Sequence, residues 1–258
     1  MQAARSRYQG VLQILRFNWP MYVAAAVVLG TGAVLLLVLR LAPLLRNAAL
    51  IGIGLAAFWL LVSLAVSHYV YDLSAIYRGD WLRRAIRRTP ARIANLHAGF
   101  DEFSDVLRAR FPETELRIFD FFDAQLMTEP SIARARQLAR DQSPADPVDF
   151  RSLSLRDEEL DAAFLIFAAH ELREADARVA LFSELHRSLK ADGELVLVEH
   201  LRDLPNFIAF GPGFLHFHSR STWLRDAEAA GFSSANEFSH TLFVRVFTFV
   251  RSHHTDVQ

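Results

Sequence analysis

The sequence predicts an α/β protein, a doubly wound and mostly parallel sheet preceded by a two-helix transmembrane hairpin. Two uncharged apolar runs of bilayer length, an alternation of strand and helix patterns after Pro90, and an uneven division of charge lead to that reading. The 258 residues are 52% hydrophobic, with a mean hydropathy of +0.16. These values lie above an ordinary soluble domain and far from a disordered chain. No cysteine is present, which excludes a disulfide scaffold, a thiolate metal site and a cysteine nucleophile. The formal charge of −1 hides an asymmetry: residues 1–90 hold many arginines against only Asp72 and Asp80, so the rest of the chain is acidic.

Residues 21–39 (MYVAAAVVLGTGAVLLLVL) and 48–67 (AALIGIGLAAFWLLVSLAVS) contain no charge. As helices each is roughly 30 Å long, the thickness of a bilayer's hydrocarbon core. The eight residues between Leu39 and the second run, among them Arg40 and Arg46, force an antiparallel pair. A cleaved signal peptide is disfavoured by the length of the first run and by the second that follows. Arg5, Arg7 and Arg16 precede the first span, and Arg78, Arg83, Arg84, Arg87 and Arg88 follow the second, so both termini and the soluble domain are expected on the cytoplasmic side. The hairpin is assigned to residues 1–72. Residues 73–90 read as a basic linker, in which WLRRAIRRTP at 81–90 is expected to form an amphipathic helix on anionic headgroups. Membrane lipids are therefore expected partners and nucleic acid is not.

Residues 91–250 alternate. ARIANLHAG, ELRIFDFFD, LDAAFLIFAAHEL and GELVLVEHL read as strands, PVDFRSL contains a further short one, and HTLFVRVFTFVR supplies one or two closing strands. FSDVLRARF, SIARARQLAR, ARVALFSELHRSLK and STWLRDAEAAGF read as helices. Residues 251–258 read as a frayed tail. In such a sheet, ligands bind beyond the carboxyl ends of the strands. Those ends carry Asn95 to Asp101, then Asp120 and Asp123, then Asp149, then His170 with Glu171, and last Glu199 with His200.

At ELHRSLKADGELVLVEH (184–200) the chain resembles the helix, Lys-x-x-Gly turn and fifth strand of class I S-adenosylmethionine-dependent methyltransferases, in the broad group that includes the quinone C-methyltransferases. The resemblance implies a Rossmann-like fold and S-adenosylmethionine as cofactor. It places Asp120 on the ribose hydroxyls, with Phe121 beside it, Asp149 near the adenine amino group, and Ala169 on the strand facing the methyl donor. It assigns the loop Asn95, His97, Gly99 and Asp101 to the methionine part. That loop departs from the family, which alternates glycines where only Gly99 stands here, so His97 and Asp101 would crowd the cofactor or replace one of its contacts.

His97, His170, His200, His216 and His218 lie in or near the expected crevice. With Glu171 and Glu199 they are candidate general bases or ligands of a divalent metal, but their separations match no metal signature and no metal is assigned. His170 and His200, supported by Glu171 and Glu199, are the expected catalytic residues, with both imidazoles opening into one crevice. The apolar segment 201–223 is expected to build an acceptor pocket, and Arg134 and Arg136 to be available for a carboxylate. The expected function is transfer of a methyl group from S-adenosylmethionine to a hydrophobic acceptor such as a quinone or lipid. Two alternatives stand beside it: a non-catalytic methyltransferase-like subunit associated with other membrane proteins, and a metal-dependent or other enzyme on the same scaffold.

Overall fold

The computed structural model describes residues 5–139 and 145–252. In chain order the elements are α1 (Gln9–Phe17), α2 (Trp19–Val38), α3 (Pro43–His68), α4 (Leu82–Ala85), β1 (Arg92–His97), α5 (Ser104–Arg110), β2 (Glu115–Asp120), α6 (Pro130–Leu138), β3 (Asp146–Pro147) and β4 (Leu160–Ile166). They continue with α7 (Ala175–Ser188), β5 (Leu189–His200), α8 (Leu204–Phe210), α9 (Arg220–Ala229), β6 (Phe232–Ser239) and β7 (Val244–Arg251). The chain divides into two compact units, residues 1–74 with 204–214 and residues 75–203 with 215–258.

In the first unit, α2 and α3 are long and apolar enough to cross a membrane. No side chain of α2 is buried, and of α3 only Ser67 is. Proline at the first turn of each helix is tolerated because its missing N–H has no intrahelical partner there. α1 has no counterpart in the sequence reading. The buried Asp72 carboxylate accepts from the backbone N–H groups of Gly10 (2.6 Å) and Val11 (3.0 Å), satisfying orphan donors at the start of α1. His68 Nδ1 lies 2.9 Å from the same carboxylate, and Tyr8 stacks on the His68 ring at 5.0 Å. The apolar segment α8 also belongs to this unit. Phe207 meets Trp59 of α3 edge-on at 5.8 Å, and a Cβ on Gly211 would come within 2.7 Å of the same indole.

The second unit is a seven-stranded sheet among the described residues, in the order β3-β2-β1-β4-β5-β7-β6. β7 is antiparallel to both of its neighbours and the other pairings are parallel. β4 and β5 carry almost unbroken buried apolar runs, as strands covered on both faces must. One face packs Leu96, Phe119, Leu165, Leu197 and Phe247 against Leu181, Phe182 and Trp223 of α7 and α9.

Residues 81–90 differ from the sequence reading. Only α4, one turn long, is helical, while Trp81, Leu82, Ala85 and Ile86 are buried in the sheet unit. The Ala85 carbonyl accepts from Thr248 Oγ1 of β7 at 2.6 Å, and the Arg84 carbonyl accepts from Asn236 of β6 at 2.7 Å. Arg87 and Arg88 pair with Glu194 (2.7 Å) and Asp192 (2.6 Å) of β5. The apolar stripe packs on the sheet unit, and these two arginines pair with carboxylates of β5. β6 is also new: the hairpin β6–β7 begins at Phe232, whereas the sequence reading placed the closing strands only after Ser239. β3 is a two-residue strand, and most of the 251–258 tail lies outside the described residues.

Candidate functional site

From β1 the chain crosses to β2 on one side, and from β4 it crosses to β5 on the other. The carboxyl ends of β1 and β4 therefore flank a switch point, where a crevice opens. His97 and Asp120 are register partners at the ends of β1 and β2. Directly after β4, Phe167 has a φ of 51°, a backbone strain of about 1–2 kcal/mol for a non-glycine residue. Outliers of this kind concentrate at functional sites.

The loop after β1 is held mostly by its own side chains. Asn95 Nδ2 donates to Asp101 Oδ1 (3.2 Å) and Ser104 Oγ (3.0 Å), and Asp101 Oδ1 accepts the backbone N–H groups of Phe103 (3.1 Å) and Ser104 (3.0 Å) at the start of α5. His97 Nδ1 accepts the N–H of Gly99 at 3.1 Å, which puts the ring proton on Nε2. That Nε2 is buried and has no hydrogen-bond partner among the described residues. Burial lowers the His97 pKa, with the charge of Arg136 acting the same way against Asp101 and Asp120, so the ring is a neutral donor.

Gly99, at φ +91°, needs its glycine: an added Cβ would lie 2.5 Å from Cγ and Nη1 of Arg136. Arg136, on α6, covers this glycine, stacks over Phe122 at 4.1 Å and donates from Nη1 to Asp120 Oδ2 at 2.5 Å. The expectation that Arg136 is available for a carboxylate is therefore corrected, because it already pairs with Asp120. Phe121 contributes a core side chain, while its N–H donates to the His97 carbonyl at 3.0 Å. Ala169 is buried in a short turn after β4. Asp149 lies in an exposed turn, where its carboxylate accepts the Arg151 N–H at 2.9 Å.

The second half of the crevice is built from imidazoles and carboxylates. His170 Nδ1 is 2.7 Å from Glu199, whose carboxylate is fully buried and also accepts the His170 backbone N–H at 3.2 Å. His170 Nε2 lies 3.4 Å from Glu171. Burial alone would lower the His170 pKa, but the charges of Glu199 and Glu171 and hydrogen bonds to both outweigh it and hold the ring well above its ordinary value. The His216 ring meets the His170 ring edge-on at 5.1 Å, and its Nδ1 is 3.1 Å from Glu129. That bond holds the Glu129 pKa below its usual range.

His200 is elsewhere. Successive residues of β5 point to opposite faces, so His200 parts from Glu199. It stacks between Phe167 (5.2 Å) and Phe217 (4.9 Å), with Nδ1 2.9 Å from the Phe243 carbonyl. The single crevice expected for the two imidazoles is thus replaced by two environments, a carboxylate cluster for His170 and an aromatic sandwich for His200.

The base of the excursion 202–217 is pinned. Leu201 bridges to His218, and Arg202 donates its N–H to the His218 carbonyl at 2.8 Å. Behind it, Arg178 of α7 forms a buried pair with Asp226 of α9 at 2.6 Å and approaches His218 Nε2 at 3.3 Å. Burial, then the Arg178 charge, pushes the His218 pKa down to about 3. Glu129, Phe167 and the Arg178–Asp226 pair were not singled out in the sequence. Each gains its role from a partner distant along the chain, which no local pattern records.

The family described as a methyltransferase domain matches residues 125–197. The sheet unit has the Rossmann-like methyltransferase fold. A mitomycin 7-O-methyltransferase is similar over 96% of this chain and 74% of its own, with 14% identity and a TM-score of 0.56. A SAM-dependent methyltransferase from Aquifex aeolicus matches over 71% of this chain and 97% of its own (14% identity, TM-score 0.51). Human N-acetylserotonin methyltransferase, solved in complex with SAM, matches over 72% of this chain and 55% of its own (14% identity, TM-score 0.51). No curated protein matches the sequence.

Proposed function

We propose that this chain is a membrane-anchored methyltransferase that moves a methyl group from S-adenosylmethionine to a hydrophobic acceptor such as a quinone or lipid. The observation that carries the reading is the placement of Gly99, His97 and Asp120 on adjoining strand ends of a methyltransferase fold. The match to a methyltransferase family and the likeness to S-adenosylmethionine-dependent enzymes support the choice of cofactor. When bound, S-adenosylmethionine supplies an electrophilic methyl group. Asp120 would accept the ribose hydroxyls, Gly99 would allow close backbone approach, and the unpartnered Nε2–H of His97 would donate a hydrogen bond. Arg136 must first leave Asp120.

His200, stacked between Phe167 and Phe217 with Nδ1 2.9 Å from the Phe243 carbonyl, would take a proton from an acceptor held beside those rings. His170, with Glu171 and Glu199, forms a separate polar cluster at the end of the fourth and fifth strands. Anchoring is supported by α2 and α3, and an apolar acceptor by Phe207, which packs on Trp59 of α3 in the segment linking β5 to His216–His218. The arginines flanking the spans support cytoplasmic termini.

The test is transfer of labelled methyl from S-adenosylmethionine by the full-length protein in vesicles that carry a hydroquinone or a lipid extract. Label in the organic phase, lost by about 10²-fold in His200→Ala, supports the reading; no label with any acceptor opposes it. A non-catalytic subunit of a membrane complex is the second reading, favoured by the Arg136 side chain that covers Gly99.

A further inference from the structure

We propose that His170, Glu171 and His216 form a binding site for one divalent transition-metal ion, with Glu199 and Glu129 holding the two imidazoles from behind. One donor atom from each of the three residues lies within 4.8 Å of the other two, a spacing that one ion can bridge. Two imidazoles and a carboxylate are a donor set that suits Fe2+, Mn2+ or Zn2+.

The support behind these three residues is more specific than their proximity. A metal-binding histidine characteristically donates its second ring N–H to a carboxylate, which fixes the tautomer and makes the other nitrogen a better ligand. Both histidines have that partner: His170 Nδ1 is 2.7 Å from Glu199, and His216 Nδ1 is 3.1 Å from Glu129. Each imidazole therefore presents Nε2 as the remaining donor. The His170 side chain is only 13% exposed, and Glu199 is completely buried, so the inner ligand is held rigidly while Glu171 and His216 stay partly open toward solvent.

Charge points the same way. Glu129, Glu171 and Glu199 are opposed by Arg173, which donates to the backbone carbonyls of His170 (3.4 Å) and His216 and so ties the two ligand segments together. A bound ion takes the place of the proton on His170 Nε2; the three carboxylates against Arg173 then leave two negative charges in excess, which one divalent cation balances. Three protein ligands leave coordination positions for water or for an acceptor oxygen.

The inference goes beyond methyl transfer and is tested without it. The full-length protein, purified in detergent and stripped with a chelator, would be titrated with Zn2+ by calorimetry, and its Co2+ complex examined by visible absorption. The expected result is one equivalent bound with low-micromolar or tighter affinity. Glu129→Gln should weaken binding about 10–100-fold, the range for loss of a supporting carboxylate. His216→Ala should abolish binding and the Co2+ ligand-field bands. His216 sits on a partly exposed segment, so this variant should keep the parent's circular dichroism. No stoichiometric binding, or equal binding by the parent, Glu129→Gln and His216→Ala, would overturn the proposal. S-adenosylmethionine affinity measured on the same stripped protein reports separately on the methyl-donor reading.

Discussion

Arg136 decides how the donor half of the crevice behaves. Its guanidinium bonds Asp120 and overlies Gly99, so a ligand that uses the carboxylate competes with a charge-assisted hydrogen bond. Asp120→Ala should weaken S-adenosylmethionine binding about tenfold, or about 1.4 kcal/mol, the scale of a hydrogen bond to a charged acceptor. Arg136→Ala should tighten it several-fold. Equilibrium binding to both variants checks this pair of opposite signs, and weaker binding by Arg136→Ala would mean that the arginine holds the ligand rather than excluding it. His97 gives a pH signature. Its pKa is lowered in the fold from an ordinary 6.5, so the folded protein disfavours a proton that the unfolded chain accepts. Its contribution to stability is complete above about pH 6.5 and is lost as pH falls below that value. Asp101, Asp120 and Arg136 are the charges acting on it. Melting temperatures of the parent and His97→Gln should converge on acidification from about pH 7.5 to 5.5, and parallel pH profiles would exclude the effect.

At the scale of elements, the excursion between β5 and α9 is braced by Arg178 and Asp226, whose side chains are 4% and 2% exposed. Arg178→Met should destabilise the sheet unit by about 3–5 kcal/mol, because Asp226 is left buried without its partner. The double variant Arg178→Met/Asp226→Leu should recover most of that loss. Denaturant unfolding of the single and double variants measures the coupling, and additive losses would show that the pair does not act as a unit. The legibility of the elements follows from their burial. β1, β2, β4 and β5 announce themselves as short apolar runs, and parallel topology then brings their last residues to one edge. β6 does not, because FSSANEFS is largely exposed or half-buried and anchored by Phe232 and Phe238. Trp81, Leu82, Ala85 and Ile86 form an apolar stripe that serves a lipid surface or a sheet equally well. Periodicity reveals such a stripe and leaves its partner unnamed. In the site, strand-end residues such as Asp120, His170 and Glu199 are legible from topology, whereas the pairings Arg136–Asp120 and His216–Glu129 depend on packing between distant segments.

At the scale of the whole molecule, α2 and α3 expose apolar side chains along their length, and the proposed anchoring, with the arginine distribution, predicts that both ends of the hairpin lie on the same side. The chain has no cysteine, so single cysteines can report sidedness without background. Ala42→Cys, in the turn between the spans, should react with an impermeant maleimide from outside intact cells, and Ser233→Cys on the sheet unit only after lysis; the reverse pattern would invert the topology. The methyltransferase reading itself stands or falls on calorimetric titration of the detergent-purified, full-length protein with S-adenosylmethionine and S-adenosylhomocysteine. Saturable one-site binding of both ligands, weakened about tenfold in Asp120→Ala, is the predicted result. Absence of binding by the parent protein, or an affinity that Asp120→Ala leaves unchanged, would contradict it.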